Sequence, residues 1–172
     1  IPRLETEQLV DWILKENFVT ALDIGTGSGC IPIALVKHTD AKVLAIDVSE
    51  DALLIAEENA KNNEVEIDFI HQDILQTNYL QKVDLIVSNP PYVLESEKEK
   101  MQENVLDYEP ELALFVEDKN PLIFYKKIAS LAINFLNENG KLFFEINAKF
   151  GKETIEMLAD IGFVNIELIS KN

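Results

Sequence analysis

The spacing of apolar residues along the chain changes repeatedly between two patterns, and this alternation predicts an α/β fold. Short apolar runs that end in polar or glycine positions are typical of buried parallel strands. Stretches in which apolar residues recur every three to four positions are typical of helices that pack on a sheet. Strands are predicted over residues 19–24, 43–48, 65–70, 83–88 and 141–146, with a sixth around Val164, Ile166 and Leu168. Helices are predicted around Leu9, Val10, Ile13 and Leu14 and over residues 30–38, 51–62, 121–137 and 152–160.

The order of these elements predicts a mostly parallel central sheet flanked by helices. Strands that alternate with helices are joined by right-handed crossovers, and ligands bind at the carboxyl ends of the strands. Ser49 is expected to cap the helix over residues 51–62, and Asn139-Gly140 to end the long helix before the fifth strand. Residues 93–120 are the least regular part of the chain and hold nine acidic residues. A connection of this length is expected to be either functional or mobile.

Composition and charge narrow what a protein of this fold can do. The 172 residues include 31 acidic and 15 basic side chains, which gives a net charge of −16, and Arg3 is the single arginine. Proteins that bind duplex nucleic acid usually present a basic face with arginines, so direct nucleic-acid binding is not expected. The single cysteine, Cys30, excludes an internal disulfide and favours a reducing compartment. Because no apolar run is long enough to cross a bilayer, we expect a cytoplasmic protein.

A glycine-rich turn follows the first predicted strand, over residues 23–29 (DIGTGSG). Glycine permits dihedral angles that other residues rarely adopt and lets a ligand approach bare backbone. The spacing departs from the dinucleotide fingerprint and suits a smaller nucleoside ligand. Asp47 ends the second strand where an acid can bind both ribose hydroxyls, and Asp73 ends the third, where it would meet the base. The alternative is a tight structural turn with solvated acidic caps, but three strand ends in order favour recognition of adenosine, as in S-adenosylmethionine-dependent methyltransferases.

A second motif, Asn89-Pro90-Pro91-Tyr92, directly follows the fourth strand at the same edge of the sheet. The two prolines fix the backbone and supply no N–H donors. The Asn89 side-chain oxygen and the Pro90 carbonyl can each accept one hydrogen of a planar NH₂ group, while Tyr92 stacks on its plane. The exocyclic amine of adenine and the carboxamide of glutamine both fit such a site. A proline-rich turn that merely ends the strand is the alternative, and the neighbouring glycine turn makes it the weaker one.

Residues with possible chemistry outside these two motifs are given structural interpretations. His38 and His71 are interpreted as surface or strand-end residues and not as general bases. Cys30 is interpreted as a small packing residue in the first turn of a helix, since no histidine is placed beside it by the sequence. Two roles remain open for Arg3. It can form a local ion pair with nearby acids that fixes the N-terminal segment over the site, or it can contact the substrate.

Together these residues resemble the HemK/PrmC family, the release-factor glutamine methyltransferases. The motif Asn-Pro-Pro-Tyr is shared with adenine methyltransferases, but the combination of segments is specific. The similar segments are residues 2–7 (PRLETE), 23–35 (DIGTGSGCIPIAL), 89–93 (NPPYV) and 108–114, where Tyr108-Glu109-Pro110 and Ala113-Leu114 match the family pattern. The departures are Leu4 in place of the usual proline, Ile74 where relatives often have an aromatic, and EINAKFG over residues 145–151 in place of E-I-G-x-x-Q-G.

The resemblance implies a Rossmann-like class I methyltransferase that uses S-adenosylmethionine and releases S-adenosylhomocysteine. The expected reaction is methylation of the side-chain amide nitrogen of a glutamine in the Gly-Gly-Gln loop of a peptide chain release factor. The alternative substrates are a ribosomal-protein glutamine and, less favoured, adenine N6 of DNA or RNA. Cofactor contacts are expected at Asp23, Gly25, Thr26, Gly27, Ser28, Gly29, Asp47, Val48, Asp73, Ile74 and Asn89. Substrate contacts are expected at Asn89, Pro90, Pro91 and Tyr92, and catalysis at Asn89, Pro90 and Tyr92, with no metal site.

The chain is expected to form a single catalytic domain over residues 1–172, shortened at both ends relative to the family. Its predicted parts are an N-terminal segment with the first helix (1–18), a cofactor-binding half (19–92), a substrate-side loop region (93–120) and a C-terminal half (121–172). The small N-terminal helical domain that grips the release factor is expected to be absent. So is the seventh strand that class I methyltransferases insert between strands five and six. We expect a monomer whose partner is the release factor, with no membrane contact.

Overall fold

The computed structural model describes residues 2–91, 93–94, 96–97, 115–117 and 119–170. Its strands are β1 (Thr20–Ile24), β2 (Lys42–Asp47), β3 (Asp68–His71), β4 (Val83–Ser88), β5 (Val93–Leu94), β6 (Phe115–Val116) and β7 (Leu136–Phe144). Five of them form a parallel sheet in the order β3-β2-β1-β4-β7, which puts the first strand at the centre. The strands β5 and β6 form a separate parallel pair within the irregular segment.

Helices cover both faces of this sheet, because side chains alternate along each strand. The helices are α1 (Leu4–Ile13), α2 (Cys30–His38), α3 (Glu50–Asn62), α4 (Ile123–Phe135) and α5 (Gly151–Ile161). On one face, Ile13 of α1 and Leu35 of α2 pack in the same core cluster as Ala21. On the other face, Ile128 of α4 packs with Leu22. Ile13, Leu35 and Ile128 are fully buried, so truncation of any one to alanine is expected to cost about 2–5 kcal/mol.

The register of the strands brings their carboxyl ends to one edge of the sheet. Ile24, the last residue of β1, pairs with Ile46 of β2 and with Ser88, the last residue of β4. Asp47 at the end of β2 pairs with His71 at the end of β3. The segments that follow these strands therefore converge on one side of the molecule, where a sheet of this type binds its ligand.

At the amino ends of the strands, opposite the ligand-binding side, hydrogen bonds to Asp84 connect β1, β4 and β7. Its Oδ2 accepts hydrogen bonds from the backbone amides of Val19 at 2.8 Å and Thr20 at 3.1 Å, and its Oδ1 accepts from the Asn137 amide at 3.0 Å. The Asp84 amide in turn donates to the Thr20 hydroxyl at 3.0 Å. Donors to the carboxylate, the Asn137 amide first, lower the pKa of Asp84 below its usual value. This network holds the sheet together at a distance from the ligand edge.

The structure confirms the predicted mostly parallel α/β sheet and most of the predicted element positions. Ser49 caps α3 as predicted, since its Oγ accepts a hydrogen bond from the Ala52 amide at 3.2 Å. The prediction that Asn139-Gly140 ends the long helix is wrong, because α4 already ends at Phe135 and both residues lie within β7. The strand begins this early because Leu136, directly after α4, pairs with Val83. The register then shifts, and Lys141 pairs with Leu85. Within the described part of the chain, no helix is long and apolar enough to span a membrane.

The sixth strand predicted around Val164, Ile166 and Leu168 is wrong. Residues 164–170 belong to no strand, and in the described ranges β7 is the last strand. Val164 is 79% exposed and Leu168 51% exposed, so the alternating side chains have no sheet to cover. Leu168 contacts the start of α5, where a Cβ placed on Gly151 would lie 3.1 Å from Leu168 Cδ2. An alternating pattern forms a strand only when a neighbouring strand accepts its backbone hydrogen bonds.

Candidate active site

The glycine turn after β1 has the backbone conformation that its sequence predicts. Gly25, Gly27 and Gly29 all have positive φ angles, of 75°, 57° and 83°, which residues with a Cβ rarely adopt. A Cβ on Gly29 would also lie 3.1 Å from the Ala56 Cβ, so this glycine lets α3 approach the start of α2. A Cβ on Gly25 or Gly27 would meet no atom of the described residues within 4 Å. The turn therefore leaves space in front of Gly25 and Gly27 that a ligand can fill.

Asp47 holds this turn in place from the end of β2. Its Oδ2 accepts a hydrogen bond from the Gly27 amide at 2.8 Å, and its Oδ1 accepts from the Ser49 amide at 2.9 Å. The amides of Gly25 and Thr26 both donate to the Ile46 carbonyl, at 2.9 and 3.0 Å. A carboxylate has about four acceptor positions, so Asp47 retains positions for ligand hydroxyls. Its expected contact with a ribose stays a prediction, and its role in shaping the turn was not foreseen.

Asp23 is a buried acid beneath the glycine turn. It is fully buried, and among the described residues neither of its oxygens nor the Thr26 hydroxyl has a hydrogen-bond partner of ordinary geometry. Burial raises the pKa of Asp23 to about 7, while the neighbouring Thr26 hydroxyl opposes this rise and the Asp47 charge adds to it. Buried polar groups without partners are uncommon in folded proteins and call for an explanation. A ligand with a cationic donor would supply the missing partner.

The second motif begins at the end of β4, next to the glycine turn. Ser88 is fully buried, and its Oγ donates to the Ile24 carbonyl at 2.6 Å, which joins the last residues of β4 and β1. Asn89 follows, and its side-chain Oδ1 is buried without a hydrogen-bond partner in the described part of the structure. Pro90 is buried and Pro91 half-buried, while Tyr92 lies outside the described residues. The structure thus brings the Asn89 acceptor to the ligand edge, as predicted.

The third strand end contributes Asp73 and Ile74. Asp73 Oδ1 accepts from the Leu75 amide at 2.9 Å and caps a single 3-10 turn over Ile74–Gln76. Ile74 is 8% exposed and packs with the core beneath β1 and β2. Val48, directly after β2, is exposed, and its backbone carbonyl accepts a hydrogen bond from the His71 ring, whose Nε2 lies 2.9 Å away. The expected cofactor contacts of these residues stay predictions.

The sequence and fold at this edge match a known family. Residues 5–109, which include the glycine turn, Asp47, Asp73 and the Asn-Pro-Pro-Tyr motif, match the family described as the methyltransferase small domain. The chain belongs to the methyltransferase small domain family. This membership agrees with the class of protein that the motifs predict.

Individual relatives of this chain are similar to it over most of its length. It is 55% identical over 177 residues to the release factor glutamine methyltransferase of Flavobacterium psychrophilum, covering 98% of this chain and 62% of that protein. It is 53% identical over 163 residues to the release factor glutamine methyltransferase of Bacteroides thetaiotaomicron, covering 92% of this chain and 59% of that protein. The chain thus spans less than two thirds of either relative. The resemblance predicted from the motifs is confirmed.

A solved structure agrees with the fold. The ribosomal protein L11 methylase from Lactobacillus delbrueckii subsp. bulgaricus is similar with a TM-score of 0.68 and 25% sequence identity, covering 99% of this chain and 76% of that one. The similarity therefore extends over the whole sheet and its flanking helices. It confirms the predicted methyltransferase fold class.

Three residues of the methyltransferase edge were not predicted as functional, namely Thr6, Tyr125 and Glu145. Glu145 follows β7 and is 9% exposed, and its Oε2 accepts a hydrogen bond from the Thr6 hydroxyl at 2.9 Å. Its backbone amide donates to the Ser88 carbonyl at 3.1 Å, and its backbone carbonyl accepts from the Tyr125 hydroxyl at 3.1 Å. Thr6 and Glu145 lie in two segments that resemble family motifs, so the signal was present. Their contact was not predictable because 139 residues separate them.

The structural interpretations of the remaining reactive residues agree with the structure. His38 is exposed at the end of α2, and His71 lies at the end of β3, with its Nδ1 3.2 Å from Glu50 Oε1. Cys30 is half-buried in the first turn of α2, with its Sγ 3.1 Å from the Ser28 Oγ. None of these side chains is joined by a hydrogen bond to Asn89 or Asp23 in the ranges that the structure describes. Both alternatives for the side chain of Arg3 stay predictions.

Proposed function

We propose that this chain is the catalytic domain of an enzyme that methylates the side-chain amide nitrogen of a glutamine, with S-adenosylmethionine as the methyl donor. The observation that carries the proposal is the Asn89 Oδ1, which is buried beside the open glycine turn and has no hydrogen-bond partner among the described residues. An acceptor without a partner, held at the end of a strand, is ready to receive an N–H donor from a substrate. The domain in this proposal extends over residues 1–172.

The residues of the edge fit S-adenosylmethionine. This molecule would supply an electrophilic methyl group on a sulfonium, and it also carries an amino acid group and an adenosine. The Asp23 carboxyl and Thr26 hydroxyl, both buried and unpartnered among the described residues, suit its cationic and polar groups. The space in front of Gly25 and Gly27 suits close approach to backbone, and Asp47 retains acceptor positions for ribose hydroxyls. Asp73, Ile74 and Val48 are proposed to border the adenine.

Asn89 and Pro90 are proposed to make the amide nitrogen of the substrate more reactive. An amide nitrogen is a poor nucleophile, since its lone pair is delocalised into the carbonyl group. Acceptance of the two amide hydrogens by Asn89 Oδ1 and the Pro90 carbonyl would favour electron density on nitrogen and hold it in line with the methyl group. Tyr92 is proposed to stack on the plane of the amide. Alignment of two reactants in this way can lower a barrier by about 7–11 kcal/mol, and the proton leaves once the nitrogen is methylated.

A peptide chain release factor is the substrate that we propose. The support comes from two relatives named release factor glutamine methyltransferase, which are 55% and 53% identical to this chain. The net charge of −16 supports a protein substrate over a nucleic acid, because phosphates would be repelled. Such a substrate would place the reaction in the cytoplasm. A glutamine in the Gly-Gly-Gln loop is the proposed acceptor.

The test is methyl transfer from labelled S-adenosylmethionine to purified release factor, followed by mass spectrometry of its peptides. We expect a gain of one methyl group on the glutamine of the Gly-Gly-Gln loop. A release factor with that glutamine replaced by glutamate is the matched control and should gain nothing. Ribosomal proteins and an adenine-containing oligonucleotide are tested in parallel. Methyl transfer to either of these, without transfer to the release factor, would contradict the proposed substrate.

A further inference from the structure

A hydrogen-bonded connection runs from the first turn of α1 to the Asn-Pro-Pro-Tyr motif. The Thr6 hydroxyl donates to Glu145 Oε2 at 2.9 Å, and both residues are buried, at 8% and 9% exposed. The Glu145 amide donates to the Ser88 carbonyl at 3.1 Å, directly before Asn89. Two hydrogen bonds therefore link the N-terminal helix, the end of β7 and the peptide group that joins Ser88 to the substrate motif.

Glu145 lies where β7 ends beside β4, so its hydrogen bonds act directly before Asn89. The pairing of β4 with β7 ends at Ser88 and Phe144. The hydrogen bond from the Glu145 amide to the Ser88 carbonyl is therefore the last one that aligns these two strands before Asn89 leaves the sheet. The Tyr125 hydroxyl holds the Glu145 carbonyl from α4, at 3.1 Å. A carboxylate is costly to bury unless hydrogen bonds compensate. Glu145 is thus fixed by groups from three separate elements.

We propose that Thr6 and Glu145 are positioning residues for the methyl-transfer site. The hydroxyl-to-carboxylate bond fixes the end of β7 against α1, and through the Glu145 amide it fixes the Ser88 peptide that sets the direction of Asn89. Asn89 Oδ1 then receives the substrate amide in one orientation. The expected effect of Thr6 and Glu145 on turnover rests on the proposed function. Their expected effect on the geometry of Asn89 does not depend on it.

The chain offers a matched pair of buried threonines for the test. Thr154 is 3% exposed, and its hydroxyl donates to the Phe150 carbonyl at 2.7 Å, within the first turn of α5. Thr6→Val and Thr154→Val each remove one buried hydroxyl and keep the shape of the side chain. Only Thr6 is joined to the peptide before Asn89. Thr6→Ser restores the hydroxyl and serves as the rescue variant.

Two readouts are measured on the full chain. The first is the side-chain amide resonance of Asn89 in ¹⁵N-labelled protein, assigned by its loss in Asn89→Ala. The second is kcat and KM for methylation of release factor, with the affinity for S-adenosylmethionine measured by calorimetry. For Thr6→Val we expect the Asn89 resonance to shift, kcat to fall about tenfold to a hundredfold and cofactor affinity to remain nearly unchanged. Thr6→Ser should return both readouts close to the parent values.

The outcomes separate the two proposals. If the parent chain methylates no glutamine in any substrate, the proposed function fails, and the Asn89 resonance still decides the role of Thr6. An unchanged Asn89 resonance in Thr6→Val would overturn the inference. Equal losses of kcat in Thr6→Val and Thr154→Val would also overturn it, because they would reflect stability alone.

Discussion

The Oγ of Ser88 donates to the backbone carbonyl of Ile24 at 2.6 Å and joins the last residue of β4 to the last residue of β1. The next residues are Gly25, the first glycine of the turn, and Asn89, the first residue of the second motif. This buried hydroxyl therefore adds to the β1–β4 pairing, in which Ile24 is the partner of Ser88, and helps to fix the spacing between the glycine turn and the substrate motif. Because Ser88 has no exposed surface, water cannot replace this contact without a change in the strands.

Ser88→Ala is expected to lower stability and turnover together. Loss of the buried hydroxyl leaves the Ile24 carbonyl without one of its donors, which is expected to cost about 1–3 kcal/mol in the free energy of unfolding. Urea denaturation would measure this loss. The matched control is Ser130→Ala, since the Ser130 hydroxyl donates to the Lys126 carbonyl on an exposed part of α4 and its loss should change little. Similar stability in both variants would contradict the importance of the Ser88 bond.

Asn89→Ala is expected to abolish methyl transfer while S-adenosylmethionine binding weakens only modestly. The Asn89 Oδ1 lacks a partner among the described side chains and backbone groups, so its removal should not unfold the protein. Calorimetry gives the cofactor affinity and the labelled-methyl assay gives the turnover. Asn134→Ala, which removes an amide from the exposed side of α4, is the control. Equal losses of cofactor binding and turnover would mean that Asn89 acts chiefly on the cofactor.

The raised pKa of Asp23 predicts a stability that falls as the pH rises. The folded protein holds the Asp23 proton up to about pH 7, whereas the unfolded chain releases it near the ordinary value of 3.8. Between these values the folded state binds more protons than the unfolded state, so the free energy of unfolding decreases with pH and levels off above about 7. Each tenfold change in the acid constant is worth about 1.4 kcal/mol, which limits the total to about 4 kcal/mol.

Asp23→Asn should remove this decrease and make the protein more stable than its parent at pH 8 and above. Denaturation across the pH range measures the difference between the two proteins. Asp84 should have the opposite effect on the pH dependence of stability. Its pKa is lowered in the folded protein, so the stabilisation that it contributes is lost on acidification. Asp84→Asn should therefore flatten the acid side of the stability profile. An Asp23→Asn variant with the same pH profile as the parent would contradict the buried, unpartnered state of this acid.

Two glycines of the same turn predict different consequences of substitution by alanine. At Gly29 a Cβ would lie 3.1 Å from the Ala56 Cβ, so Gly29→Ala should separate α3 from α2 and destabilise the fold. At Gly27 a Cβ meets no atom within 4 Å in the part of the chain that the structure describes, so Gly27→Ala should cost only about 1–2 kcal/mol for its positive φ but should obstruct the ligand. Thermal denaturation and calorimetry with S-adenosylmethionine separate these effects. Partial rescue of Gly29→Ala by Ala56→Gly would verify the crowding.

The sequence predicted the parts of the site that follow directly from strand ends. Gly25, Asp47 and Asn89 each come immediately after or at the end of a buried strand, and parallel strands bring such residues to one edge. The hydrogen bond between Asp47 and the Gly27 amide was not predictable, because it depends on the register between β1 and β2. The pair Thr6 and Glu145 requires knowledge of how α1 lies against the end of β7, which no local pattern provides.

The predicted sixth strand was wrong for a related reason. Alternation of Val164, Ile166 and Leu168 describes one strand, but a ladder needs a neighbour with free backbone groups in the right direction. The start of α3 agrees with the prediction because a capping residue such as Ser49 acts locally, whereas β7 begins five residues earlier than predicted because its pairing with β4 decides where it starts. The segment over residues 93–120, which holds nine acidic residues, has no apolar period, and the strands described within it are the short pair β5 and β6.

The Asp84 network described above implies that the two edges of the sheet open at different rates. Asp84 joins the amino ends of β1, β4 and β7 by hydrogen bonds, whereas Asp23 and Asn89 at the carboxyl ends retain polar atoms without partners in the described structure. Backbone amides of the glycine turn, such as that of Gly27, should therefore exchange with deuterium through local fluctuations, while those of Thr20 and Asp84 should exchange more slowly. A bound ligand should slow exchange at the carboxyl edge alone, and so convert the sheet into one uniformly protected unit.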